Sequence, residues 1–124
     1  MPREGTKIDV MLQHVRADYR PEPFTRKLVD TLNGVHQKFL DKGVQVLFSY
    51  SPRNRSSLTE QSTPENRQAL HKLLKESLLA PVILPMEESL LSGEYFYLID
   101  SHLSSEGARV FTQKIIQALK PWLK

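Results

Sequence analysis

Cysteine is absent from all 124 residues. That excludes disulfides, thiolate nucleophiles and Cys-ligated metals together, and it leaves the redox compartment open. No run approaches the roughly 18 consecutive apolar residues of a membrane span, and "MPREGTKIDV" lacks the apolar core of a signal peptide. The five glycines, Gly5, Gly34, Gly43, Gly93 and Gly107, form no Gly-rich phosphate loop, and none begins a G-D-S or G-x-S-x-G nucleophile block. No helical H-x-x-x-H or His-carboxylate spacing predicts a metal, and no motif calls for a cofactor.

What is present is ordinary globular material, 40% apolar and 25% charged, sized for one domain over residues 1–124. The net charge is +3, but Lys and Arg alternate with Glu and Asp instead of forming a stripe. That pattern argues against a nucleic-acid partner.

Residues 7 to 15 alternate Ile8, Val10 and Leu12 and predict a strand. Leu28, Leu32, Val35 and Phe39, with Val29 and Leu40 alongside, predict an amphipathic helix over about 24–42, stopped by Gly43. "VQVLFSYSP", residues 44 to 52, is the strongest strand pattern, closed by Pro52. Thr63-Pro64-Glu65 opens a helix facing inward through Leu70, Leu73 and Leu74. "APVILP" predicts a further short strand between prolines, and "MEESLLSGEYFYLID" reads as irregular or partly helical. Ser104, Ser105 and Glu106 start a last helix with a stripe of Val110, Phe111, Ile115, Leu119 and Trp122, the tryptophan as its final knob. His36 and His71 fall at the margins of helical faces, where an imidazole packs its edge and keeps its tip wet. This order predicts an α/β fold: a small three-layer, flavodoxin-like arrangement of a parallel sheet flanked by helices, with chemistry at the strand C-termini.

The chemical candidates follow from that edge. In "YLIDSHLSSEGARVF" an Asp two residues before a His, just ahead of a helix, is a pair in which the carboxylate orients the ring and the other ring nitrogen acts as general base. Those residues are Asp100 and His102. At the end of the 44–52 strand, Ser49 and Ser51 are candidate hydroxyl nucleophiles, and in the loop that follows Asn54 is a candidate oxyanion donor, while Arg53 and Arg55 are placed to hold an anionic group. Without further context each also has a plain reading as turn-capping or solvated side chains.

The block "YFYLIDSHLSSEGARVFTQKIIQAL" resembles the last block of the SGNH or GDSL hydrolases, and helix, "GVQVLFSYSP", helix and "PVI" resemble the later part of that fold. The resemblance spans residues 24–123 and implies His102 as general base and Asp100 as its orienting acid. In the commoner family pattern the acid stands three residues before the histidine, where this chain has Ile99. The D-x-H spacing looks like the branch containing O-acyltransferases of cell-surface polysaccharides. The nucleophile, Gly and Asn blocks have no counterpart, so the resemblance implies a C-terminal portion, inactive alone, of an enzyme acting on acyl-ester or glycan substrates. Relatives of that kind are often exported or membrane-tethered. The competing expectation is a non-catalytic α/β binding module. If part of a larger sheet is missing, a homo-oligomer or a partner chain would cover the exposed edge.

Overall fold

The computed structural model describes residues 17–97 and 102–123. Among the described residues four helices and one two-stranded parallel sheet make a mixed α/β architecture: α1 Pro23–Leu40, β1 Arg53–Asn54, α2 Pro64–Ser77, α3 Met86–Ser89, β2 Leu90–Leu91 and α4 Ser105–Leu119. Single 3-10 turns, Arg55–Ser57, Gly93–Tyr95 and Lys120–Trp122, join or end them.

The helix boundaries follow from local chemistry. Pro23 fills the first turn of α1, where no amide hydrogen is needed, and Thr25 Oγ1 accepts from the Glu22 amide at 2.9 Å. At the other end Gly43, at φ +76°, lets Val44 N donate to Phe39 O and Gly43 N to Leu40 O, the paired bonds of a Schellman stop. Thr63 Oγ1 caps α2 by accepting from Asn66 N at 3.1 Å, and Ser104 Oγ caps α4 by accepting from Gly107 N at 3.1 Å.

One core gathers Val29 of α1, Tyr50, Leu70 and Leu74 of α2, Leu78 and Met86. Helices α1 and α2 lie side by side, joined by Asn33, whose amide donates to Ser77 O and accepts from Leu79 N, both at 2.9 Å. The chain then runs 44–54, α2, 80–91. Phe48 bridges Val82 in parallel, and Arg53–Asn54 pair in parallel with Leu90–Leu91. Helix α4 is tied to this unit where Lys114 Nζ donates to Glu88 O at 3.1 Å.

Several expectations are corrected here. The 44–52 strand is reduced to one bridge at Phe48, and regular pairing resumes after Pro52, at β1. Proline removes its own donor, but it leaves the next residues free to rejoin a ladder. Leu90–Leu91, inside a stretch read as irregular, form β2 because burial on both sides replaces the alternation that marks a half-exposed strand. The inward face of α1 is Thr25, Val29 and His36, with Leu32 half-buried, whereas Leu28, Val35 and Phe39 are exposed. The face is rotated by about one residue from the apolar stripe. On α4 only Gly107 is buried, and Trp122 is 43% exposed rather than core. The predicted strand over 7–15, with His14, lies outside the described residues.

Candidate active site

The two parallel strands end at the same edge, and the turns that follow them meet there. After β1, Asn54 turns the chain: its Oδ1 accepts from Ser56 N at 3.0 Å and from Ser56 Oγ at 2.7 Å. Ser57 Oγ donates back to Asn54 O at 2.7 Å. After β2, Gly93 lies against that asparagine, and a Cβ placed on it would stand 3.4 Å from Asn54 Nδ2. Two residues on, Tyr95 O accepts from Ser104 N at 2.8 Å and from Ser104 Oγ at 3.2 Å, which anchors the start of α4. Tyr97 N donates to His102 O at 2.7 Å, and Phe96 bridges Leu103 in antiparallel sense. A continuous set of contacts thus links Asn54, Gly93, Tyr95, Ser104 and the His102 backbone.

The candidate residues have unequal fates. His102 is exposed, and among the described residues no side chain hydrogen-bonds its ring. Asp100 lies outside the described residues. Ser51 is exposed, and Ser49 Oγ donates to Tyr50 O at 3.2 Å. Asn54 commits its oxygen to the turn, which leaves the Nδ2 hydrogens available as donors. Burial pushes the Tyr19 phenol up, and the neighbouring Arg53 guanidinium offsets part of that rise. Arg55 Nη2 pairs with Glu87 Oε2 at 3.1 Å, and Arg67 Nε with Glu87 Oε1 at 2.6 Å. Burial pushes the Glu87 carboxyl up, but the hydrogen bonds from Arg67 and Arg55 outweigh it and hold it below the usual glutamate range.

Among the described residues no serine hydroxyl hydrogen-bonds a histidine. A hydroxyl–imidazole pair that does form is Tyr50 Oη with His71 Nδ1 at 2.8 Å. Burial, with Tyr19 adding, pushes the Tyr50 phenol above the ordinary tyrosine range, so it stays protonated and acts as a structural partner. Burial, then Lys75, lowers His71. Sequence reasoning missed this pair because Tyr50 and His71 are 21 residues apart and meet only when α2 packs against the 44–52 segment. It also missed Ser62. That buried hydroxyl accepts from Tyr19 N at 2.7 Å and donates to Ala17 O at 3.1 Å, and it stands 3.0 Å from Thr59 Oγ1.

Among the described residues no cluster of three or more His, Asp or Glu could hold a metal ion, and no helix is long and apolar enough to cross a membrane. Taken with the parallel pairing, the site defines a small α/β unit with an exposed imidazole at the strand-end loops. Comparison with known proteins takes this no further: no family model, no curated protein and no solved structure matches the chain.

Proposed function

We propose that this chain carries the base-bearing part of an SGNH-type serine esterase or O-acyltransferase, with the nucleophilic serine supplied by a polypeptide region beyond it. One observation carries the reading: His102 is exposed two residues before the Ser104 cap of α4, in a turn linked through Tyr95 and Gly93 to Asn54 at the C-terminal edge of the parallel pair. An imidazole there is placed to take a proton from a serine hydroxyl on a neighbouring strand. Protonated, it can return that proton to the leaving alkoxide and later activate water or an acceptor hydroxyl. Asp100 is assigned the orienting role on resemblance alone. Asn54 Nδ2 is the available amide donor for an oxyanion on this edge. Ser51 is the weaker, local alternative as hydroxyl group, and the substrate would be an acyl ester, in one branch on a glycan.

The surface of the unit agrees with a further part of the sheet. Leu47 and Ser49, alternating with Phe48, make no backbone hydrogen bond among the described residues, which leaves that side of the segment able to take a further strand. Exposed Val35, Phe39 and Leu79 supply apolar surface nearby. Hydrolysis of p-nitrophenyl acetate by the longest natural polypeptide containing this chain tests the reading. His102→Ala is expected to lower turnover by roughly a thousandfold or more with melting unchanged. Activity retained in a well-folded variant removes the proposal.

The non-catalytic module remains the second reading, and the absence of any serine–histidine bond among the described residues favours it. It expects a monodisperse monomer by light scattering at high concentration, whereas an open edge expects dimers or a partner chain.

A further inference from the structure

The middle of α1 carries a dipeptide whose chemistry the fold holds in check. Of the three asparagines, Asn33, Asn54 and Asn66, only Asn33 precedes a glycine, while the other two precede arginine. An Asn-Gly peptide is open to attack by its own backbone, because the glycine nitrogen has no neighbouring β-carbon to crowd it and reaches the side-chain amide carbon once the chain is free to turn. In this structure it is not free. Asn33 sits inside the 18-residue helix Pro23–Leu40, away from either end, and the Gly34 amide is held in the helical i→i−4 ladder. The side chain is fastened as well: Nδ2 donates to Ser77 O, at the last residue of α2, and Oδ1 accepts from Leu79 N, both at 2.9 Å. Val29 before it and His36 after it are buried, 5% and 4% exposed. Unwinding α1 at Gly34 therefore disturbs core residues on both flanks.

We infer that the Asn33-Gly34 peptide is a site of spontaneous covalent modification gated by the fold, closed while α1 lies on α2 and reactive when that pair opens. In the opened chain the Gly34 nitrogen gives up its proton to base and bonds to Asn33 Cγ, and Nδ2 leaves as ammonia. One water then hydrolyses the cyclic imide. Cleavage at one carbonyl gives aspartate, and at the other isoaspartate, so an amide is exchanged for a carboxyl group with no oxidant or reductant. The isoaspartyl product runs the main chain through Cβ and Cγ, one bond longer, and the i→i−4 ladder of α1 cannot close across it. Both products also lose the donor to Ser77 O and set a carboxylate at the C-terminus of α2, where the free carbonyls already concentrate negative charge. The chemistry thus turns an opening of α1 into a one-way event. It is independent of the proposed catalytic edge, which lies at Asn54 and His102.

Peptide mapping by mass spectrometry follows the loss of Asn33 at pH 8, in buffer and in guanidinium chloride. In denaturant Asn33 is expected to convert ahead of Asn54 and Asn66. In the folded protein its conversion should be slower by on the order of a hundredfold or more, because an opening that exposes core residues is rare. Gly34→Ala puts a β-carbon beside the attacking nitrogen and meets nothing within 4 Å in the folded helix, so in denaturant it should slow the conversion by roughly tenfold or more. The isoaspartyl fraction, separated and returned to buffer, should melt well below the parent. The inference is overturned by comparable rates in buffer and denaturant, by conversion unchanged in Gly34→Ala, or by isoaspartyl protein that melts with the parent. The rate comparison uses the parent chain alone, so it decides the gating even where a variant fails to fold.

Discussion

Gly107 is the third residue of α4, and replacing it by alanine tests whether α4 is seated as described. In an open helix this change should stabilise by about 1 kcal/mol, because alanine is the better helix former. Here the new Cβ would fall 2.1 Å from Tyr95 O, 2.9 Å from its Cβ and 3.0 Å from its carbonyl carbon. The obstacle is backbone, so no rotamer relieves it. The head of α4 must move away from Tyr95, which breaks the bonds to Tyr95 O from Ser104 N and Ser104 Oγ. Overpacking costs roughly 1–3 kcal/mol, and two hydrogen bonds add about 1 kcal/mol each. After the helix gain is subtracted, Gly107→Ala should destabilise by about 2–4 kcal/mol. At roughly 4 °C per kcal/mol for a chain of 124 residues, the melting temperature should fall by about 8–16 °C. Gly34→Ala in α1 is the internal control. Nothing lies within 4 Å of its added Cβ, so it should gain up to about 1 kcal/mol. Thermal and urea melts followed by circular dichroism measure both. If Gly107→Ala proves as stable as the parent, or if the two variants shift alike, α4 does not sit against Tyr95 as the structure has it.

Removing the Ser62 hydroxyl by Ser62→Ala leaves Tyr19 N without its partner in a buried setting and should cost about 2–3 kcal/mol, read from the urea midpoint. The His71 ring, lowered chiefly by burial, binds its proton less readily folded than unfolded. The unfolded chain therefore takes up more protons once pH drops below about 6.5, and stability should fall from there down to the folded pKa and then level off. Melts from pH 8 to pH 5 should show that decline, and His71→Gln should flatten it; an unchanged slope would remove His71 as its source. Glu87 acts in the same direction at lower pH. Its lowered carboxyl contributes stability above the ordinary glutamate range that is lost as pH falls through the folded value, so Glu87→Gln should reduce the acid-side loss while weakening the Arg55 and Arg67 contacts.

Much of the scaffold was legible one residue at a time. The caps at Thr63 and Ser104, the proline opening α2 and the left-handed stop at Gly43 are short-range chemistry, in which a side chain meets an amide three residues away or a backbone angle favours glycine. The face of α1 was not legible, because a stripe of Leu28, Val35 and Phe39 looks like an inward face in isolation. Packing instead turned Val29, which stands beside that stripe, and His36 at its margin toward the core. The same holds for β2, whose two leucines carry no alternation, and for Trp122, whose apolar size suggested burial that no neighbouring element provides.

At the candidate site the division is similar. His102, Asn54 and the turn residues around them are chemical types that sequence alone could nominate. Only the tertiary structure decided that Arg53 neighbours Tyr19, that Glu87 is shared by two arginines, that Tyr50 reaches His71, and that His36 is buried without a partner. Local preferences act over three or four residues and so can be read along the chain. Burial and pairing across 20 or more residues depend on where whole elements come to rest.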